Sequence, residues 1–315
     1  MGSNIELKFR ENGHFRILMV SDIQEKPDID PRTPVAYRKL IEKTDPDLII
    51  WGGDNADGRY LKTEPELRHL LDVMTAPMAE KNIPWMHVYG NHDYDVDITP
   101  RRQNRIYASY PNCISGTSPR NLPGASDYVI TVKGPDGSDA YAVYAFDSMY
   151  KLPELRPGVS CEDVMLNCGT PCKKWDVIRF ETQMWYWKKS TELEKKNGHK
   201  VRALAVMHVP PYEFQRAIDN PEQTGIKEDY DQKLQSGLIN CGIYATMLER
   251  GDVEIIAAGH LHKDTFDATY AGIYCCLDGC GGYAPSGLDD RRGGRIFDID
   301  INGGFESRMV RYDEL

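Results

Sequence analysis

No stretch of this chain approaches the roughly 20 apolar residues that cross a bilayer, so the sequence predicts no membrane span. The opening MGSNIELKFR has no apolar run of the signal-peptide kind, and Glu6 stands where a myristoylation signal needs Ser or Thr. A cytoplasmic location is therefore expected, unless a leader has been trimmed away. Positive charge is also short: Lys and Arg number 38 against 48 Asp and Glu, for a net charge of −10. That balance argues against a nucleic-acid or anionic-membrane partner, both of which select a basic face. A phosphate-bearing substrate would need positive charge supplied locally, and bound metal ions can supply it. The 8 cysteines form no C-x-x-C pair, which excludes a zinc ribbon. Cys161, Cys168 and Cys172 are close enough for a metal cluster, but small, buried, reduced thiols are the favoured reading and point to a reducing compartment. Internal repeats, low-complexity segments and clear linkers are missing too, so one domain over 1–315 is the simplest organisation.

What is present is an alternation of strand and helix patterns. HFRILMVSD (14–22), PDLIIWGGD (46–54) and IPWMHVYGNHD (83–93) are apolar runs ending on polar residues, as buried strands do. Between them, 33–44 and 64–81 carry apolar residues at helical spacing, the first with Thr33 as cap and the second disturbed at Pro77. This order predicts an α/β fold with a largely parallel sheet covered by helices. SDYVITV and AYAVYAFDS flank a Pro-Asp-Gly turn and read as a hairpin. Residues 150–178 read as a long excursion, 179–196 as a helix, 201–211 as a strand, 241–250 as a helix and 253–262 as a strand. Short strands with Gly-rich turns follow over 271–311.

Five of these strands end in metal-ligand residue types: SDIQ (21–24), GGDN (52–55), YGNHD (89–93), MHVP (207–210) and AGHLH (258–262). Loops at the carboxyl ends of strands in open α/β sheets converge on one crevice. Asp22, Asp54, Asn91, His92, His208, His260 and His262 can therefore meet although far apart in sequence. Each motif alone is weak, but five in this order form a pattern.

The order D-x-H, GD, GNH[DE], H, GHxH resembles the signature of calcineurin-like metallophosphoesterases, and the chain is most similar to their purple acid phosphatase-like, cytosolic-type branch. FRILMVSDIQ, PDLIIWGGDN, NIPWMHVYGNHD, HVPPYEF, LERGDVEIIAAGHLHKD and CGGYAPSG carry that similarity nearly end to end. The resemblance implies a four-layer α/β/β/α sandwich with two divalent metal ions at the sheet edge. Asp22, Gln24 and His262 would hold one ion, Asn91, His208 and His260 the other, and Asp54 would bridge them. It further implies attack on a phosphomonoester or phosphodiester by a metal-bridging hydroxide, with His92 protonating the leaving group and Asp57 orienting His92. A small phosphorylated molecule or a phosphoprotein would be the substrate.

The departure is Gln24, which replaces the family's histidine. Gln offers a neutral carbonyl oxygen where His offers a nitrogen, which favours manganese or magnesium over zinc or iron. A degenerate relative that binds phosphate or a protein partner without turnover is the alternative that Gln24 raises. Purple acid phosphatases proper hold ferric iron with the tyrosine of a GDxxY motif; Asp57 occupies that position and Tyr60 lies three residues on, so no tyrosinate colour is expected. Glu25 could replace Gln24 as a ligand, but in an extended segment it points the other way. DYDVD (93–97) fails as a calcium loop, because Ile98 stands where Gly is required, and reads as a solvated acidic loop. Asn240, Arg291 and Arg292 are candidate substrate contacts by family-like position alone. Trp185 and Trp187 are expected in the core, and His14, His69, His87 and His199 match no motif.

Overall fold

A computed structural model describes residues 5–152, 154–156, 159–160, 175–225 and 234–315. The strands are β1 (Leu7–Lys8), β2 (His14–Val20), β3 (Leu48–Trp51), β4 (Trp85–His87), β5 (Tyr128–Lys133), β6 (Asp139–Ala145) and β7 (Glu154–Arg156). They continue with β8 (Val159–Ser160), β9 (Arg202–Met207), β10 (Val253–Ala258), β11 (Asp267–Tyr270), β12 (Ile273–Leu277), β13 (Gly293–Asp300) and β14 (Phe305–Arg311). The main helices are α1 (Arg32–Thr44), α2 (Glu64–Glu80), α3 (Pro100–Tyr107) and α4 (Phe180–Asn197), with α5 (Glu213–Asp219), α6 (Pro221–Thr224) and α7 (Ile243–Arg250) after β9.

Two large sheets result, in the orders β14-β13-β2-β3-β4 and β1-β5-β6-β9-β10-β12-β11. Their strands are buried on both faces because successive side chains point opposite ways. Ile17 and Met19 of β2 pack between the sheets against Val143, Leu204 and Ile255. Leu18 and Val20 of the same strand pack outward against Leu40 of α1 and Leu67 and Leu70 of α2. In the second sheet Leu204 and Val206 face inward, while Ala203, Ala205 and Met207 meet Tyr186, Phe214 and Met247 on the helices. Helix, sheet, sheet, helix is thus the layer order.

The parallel core β2-β3-β4 is as expected, but β13 closes its other edge antiparallel to β2. β4 is also shorter than its apolar run: Val88 N still donates to Trp51 O at 2.9 Å, but Tyr89 N donates to the side chain of Ser126, to Oγ at 3.1 Å. Thr33 lies inside α1, where its hydroxyl donates to Glu25. Pro77 falls in the last turn of α2, which continues past it to Glu80 although the proline removes the N–H that would bond to Val73 O. The α2 start is a capping box between Thr63 and Glu66.

Five strands deliver side chains to one edge. β2, β3 and β4 run parallel, as do β9 and β10, so the carboxyl ends of both sets lie side by side. Cys113, Cys275, Cys276 and Cys280 are buried free thiols and Cys241 is half-buried; Cys161, Cys168 and Cys172 lie outside the described residues. Trp185 packs edge-on against Phe146, whereas Trp187 stays 39% exposed on the outer face of α4, against the expectation of burial.

Candidate metal centre

The chain turns sharply just past each strand end. Asp22 (φ 52°), Gln24 (φ 43°), Asp54 (φ 47°) and His260 (φ 74°) all adopt the left-handed conformation that non-glycine residues avoid. Each such position costs on the order of 1–3 kcal/mol and persists only where the surroundings impose it. Here backbone bonds between the turns do so: Asp22 N donates to Gly53 O at 3.0 Å, Gln24 N to Asp54 O at 2.8 Å and Gly259 N to His208 O at 3.1 Å. Gly259 permits this approach, because a Cβ there would collide with the Ser21 hydroxyl.

These turns gather two clusters of possible ligand atoms, Asp54–His208–His260 and Asp22–Asp54–His262, each within 4.8 Å and sharing Asp54. His208 Nε2 lies 3.2 Å from Asp54 Oδ2 and 3.9 Å from Asp22 Oδ1. His262 Nε2 lies 3.1 Å from Asp22 Oδ1. The remote ring nitrogens are fixed from behind: His208 Nδ1 meets Gly52 O at 3.0 Å and His262 Nδ1 meets Ser286 O at 2.7 Å. Each ring therefore turns Nε2 toward the carboxylates. Ser21 Oγ donates to Asp22 Oδ2 at 2.7 Å, and His92 N donates to Asp54 Oδ1 at 2.6 Å.

The charges are out of balance in a telling direction. Burial would lower the His208 imidazole, yet Asp54 and Asp22 hold it up at about 9. Burial likewise opposes the charge of Asp54, but His208 outweighs it and keeps the carboxyl below its ordinary range. His262 rises against burial because of Asp22, while burial and the neighbouring His208 push His260 down to about 3. The carboxylates thus favour positive charge at His208 and His262, where bound cations would balance them instead.

A divalent metal fits these residues. Among the described residues, Gln24 Oε1 and Nε2, Asn91 Oδ1, His208 Nε2 and His260 Nε2 are buried without a hydrogen bond. Buried polar groups are rarely left so, and all of these border the same place. Gln24 is fully buried and lines the same cleft as Asp54. Glu25 turns away, accepting from Thr33, from Asp30 N at 2.9 Å and from Ala284 N at 3.3 Å.

The cleft measures about 390 Å³ and opens beside Asp54, Asn91, His92, His260 and His262, with Arg59, Trp175 and Lys263 on its wall. Two expectations are corrected here. Asp57 does not orient His92: its carboxylate is paired with Arg59 at 2.8 Å. His92 Nδ1 instead meets Asp95 Oδ2 at 3.0 Å, because the 3-10 turn Asp93–Asp95 folds position i+3 back onto the ring. Nor do Asn240, Arg291 and Arg292 line the cleft. Asn240 donates to Glu213 at 2.7 Å, and Arg291 donates to Lys263 O at 2.7 Å. Arg292 is buried, donating to Gly282 O, to Pro285 O at 3.1 Å and to Asp289 at 2.9 Å, so it ties a loop together.

The acidic loop is also not solvated throughout. Asp93 is fully buried and accepts from Gly90 N at 2.8 Å and from Asn55 N and Ala56 N at 3.1 Å. Burial, followed by the Asp54 charge, pushes its carboxyl up to about 8. Asp95, Arg59, Trp175 and Lys263 escaped sequence reasoning. Only Asp95 carried a signal, its place three residues after His92. Trp175 packs edge-on against His260 at 5.1 Å, a contact no local pattern announces.

Among protein families, the Calcineurin-like phosphoesterase model matches residues 15–264. Probable inactive purple acid phosphatase 14 of Arabidopsis thaliana is 28% identical over 312 residues, spanning 88% of this chain and 73% of its own length. Phosphatase DCR2 of Saccharomyces cerevisiae is 25% identical, spanning 94% of this chain and 53% of its own. Among solved structures, a dimetal phosphatase from Danio rerio superposes with a TM-score of 0.60 at 14% identity, over 94% of this chain and 98% of that one. GAP50, the anchor in the inner membrane complex of Plasmodium, does so with a TM-score of 0.56 at 12% identity, over 96% of this chain and 85% of that one. Both share the fold.

Proposed function

The chain belongs to the calcineurin-like phosphoesterase family, and on that premise we propose that it hydrolyses a phosphoester at two divalent ions. Asp22, Gln24 and His262 would hold one ion and Asn91, His208 and His260 the other, with Asp54 between them. The observation that carries this reading is the pair of ligand clusters sharing the Asp54 carboxylate. Bound there, the ions would supply Lewis acidity that polarises the phosphoryl group and makes water acidic. Manganese suits the mixed oxygen and nitrogen donors that Gln24 and Asn91 introduce.

The chain's own residues do the rest. Asp95 engages Nδ1 of His92, which leaves Nε2 as the ring atom free to serve the cleft. On hydrolysis an oxygen from water bonds to phosphorus as the bond to the leaving group breaks. The leaving oxygen keeps that electron pair and takes a proton from His92 Nε2, while the proton shed by the attacking water passes to solvent, from which the ring is reprotonated. A small phosphorylated molecule or a phosphoprotein is the substrate class that an open cleft beside this centre admits.

Gln24 and the name of the Arabidopsis relative, probable inactive, favour a second reading in which phosphate binds without turnover. Hydrolysis of glycerol phosphate, an alkyl ester whose departing oxygen needs a proton, by the manganese-loaded protein separates the two. Activity lost with chelator and reduced at least roughly hundredfold in His92→Ala supports the enzyme. A rate indifferent to both would sink it.

A further inference from the structure

Behind His92 the hydrogen bonds continue for two more residues. Tyr150 OH lies 2.6 Å from Asp95 Oδ1, and Lys151 Nζ lies 2.9 Å from the Tyr150 oxygen. Their direction follows from the groups themselves. An ammonium only donates, so the phenol oxygen accepts from Lys151 and its single proton goes to Asp95. Asp95 then has one oxygen committed to Tyr150 and the other to His92 Nδ1 at 3.0 Å. The Tyr150 ring is itself held in place, stacked on Tyr94 at 6.1 Å and 5°. Its backbone is anchored as well: Asp176 N donates to Tyr150 O at 2.9 Å, and Lys151 bridges Trp175.

We propose that Tyr150 is a positioning residue, which locks the Asp95 carboxylate so that His92 presents Nε2 to the departing oxygen of the substrate. This rests on the phosphoesterase reading and deepens it. Asp95 is the last residue of a single 3-10 turn and its side chain is 22% exposed, so one bond to His92 would leave it free to rotate. Tyr150 supplies the second point that fixes the carboxylate plane. An acid supported this way matters when the leaving group departs badly without a proton. The substrate class implied is therefore an alkyl phosphoester, such as a phosphorylated sugar, glycerol or serine. An aryl ester with a nitrophenolate leaving group needs little help from the acid.

The test compares Tyr150→Phe with the wild type on glycerol phosphate and on p-nitrophenyl phosphate, with manganese content measured on both proteins. The expected result is about a tenfold loss of kcat on the alkyl ester, the worth of one charge-assisted hydrogen bond. KM and metal content stay level and the aryl ester changes less than twofold. Lys151→Met follows in the same direction by a smaller factor. Equal losses on both esters, or none on either, would overturn the proposal. Proton NMR of the His92 Nδ1–H in metal-free protein gives a reading independent of turnover. A shifted or faster-exchanging signal in Tyr150→Phe supports the positioning role, and an unchanged signal refutes it. Should the wild type hydrolyse neither ester, the phosphoesterase reading fails and the NMR signal alone judges the contact.

Discussion

Asp57 and Asp95 offer a direct contest, because the family pattern assigns one of them to His92 and the structure places the other there. Replacing Asp95 with Asn keeps the shape and removes the charge that faces His92 Nδ1 at 3.0 Å. Hydrogen bonds to charged groups are worth about 1.5–3 kcal/mol, or roughly ten- to hundredfold in rate. Asn retains a carbonyl acceptor, so the lower end applies, and kcat on an alkyl phosphate should fall roughly tenfold. Asp57→Asn instead weakens a pair with Arg59, whose side chain is 51% exposed. The Asp57 carboxylate itself is buried with both oxygens accepting from Arg59, so the loss falls on stability, and kcat of the folded protein should fall by less than in Asp95→Asn. Steady-state kinetics on glycerol phosphate, with bound manganese measured by mass spectrometry, decides between them. A larger loss of kcat in Asp57→Asn than in Asp95→Asn, at equal metal content, would refute the assignment.

Gln24→His restores a nitrogen donor at a position whose φ of 43° histidine tolerates better than most residues. Zinc affinity, read by competition with a chromogenic chelator, should rise roughly tenfold, and no change would mean that position 24 does not reach a metal. His87 is fully buried between Asn104 and Ser115, and burial pushes its imidazole down to about 3. Its folded pKa is depressed, so its share of stability is complete above about 6.5 and is lost as the pH falls. Between pH 8 and pH 5 that loss is about 2 kcal/mol; chemical denaturation should show it shrinking in His87→Asn, and an equal slope in both proteins would contradict the assignment. Arg292→Met strands the carbonyls of Gly282 and Pro285, which at about 1–3 kcal/mol per buried group should lower stability by roughly 2–6 kcal/mol. Activity of the folded fraction should be unchanged; a rise in KM with unchanged thermal stability would return Arg292 to the substrate.

The strand-end motifs were legible in the sequence because each uses residue types that chemistry restricts. Buried strands read as apolar runs since both their faces are covered, and the runs containing Asp22, Asp54, His92, His208 and His260 ended where β2, β3, β4, β9 and β10 lead into the cleft. The pairing of β13 with β2 was not legible, for an antiparallel return across the chain leaves no local period. Arg292 was misread for a related reason. Its family-like position alone suggested substrate, and only packing reveals that its donors are spent on backbone carbonyls.

The sequence by itself determined which donors this protein owns, in what order, and that one of them is a glutamine. Tertiary structure decided which donors share Asp54, that the Gln24 side chain faces the same cleft, and that Asp95 rather than Asp57 stands behind His92. Donor identity is written one residue at a time. Partnership depends on turns whose left-handed angles are imposed by neighbouring strands, and on a tyrosine 55 residues beyond the aspartate it holds.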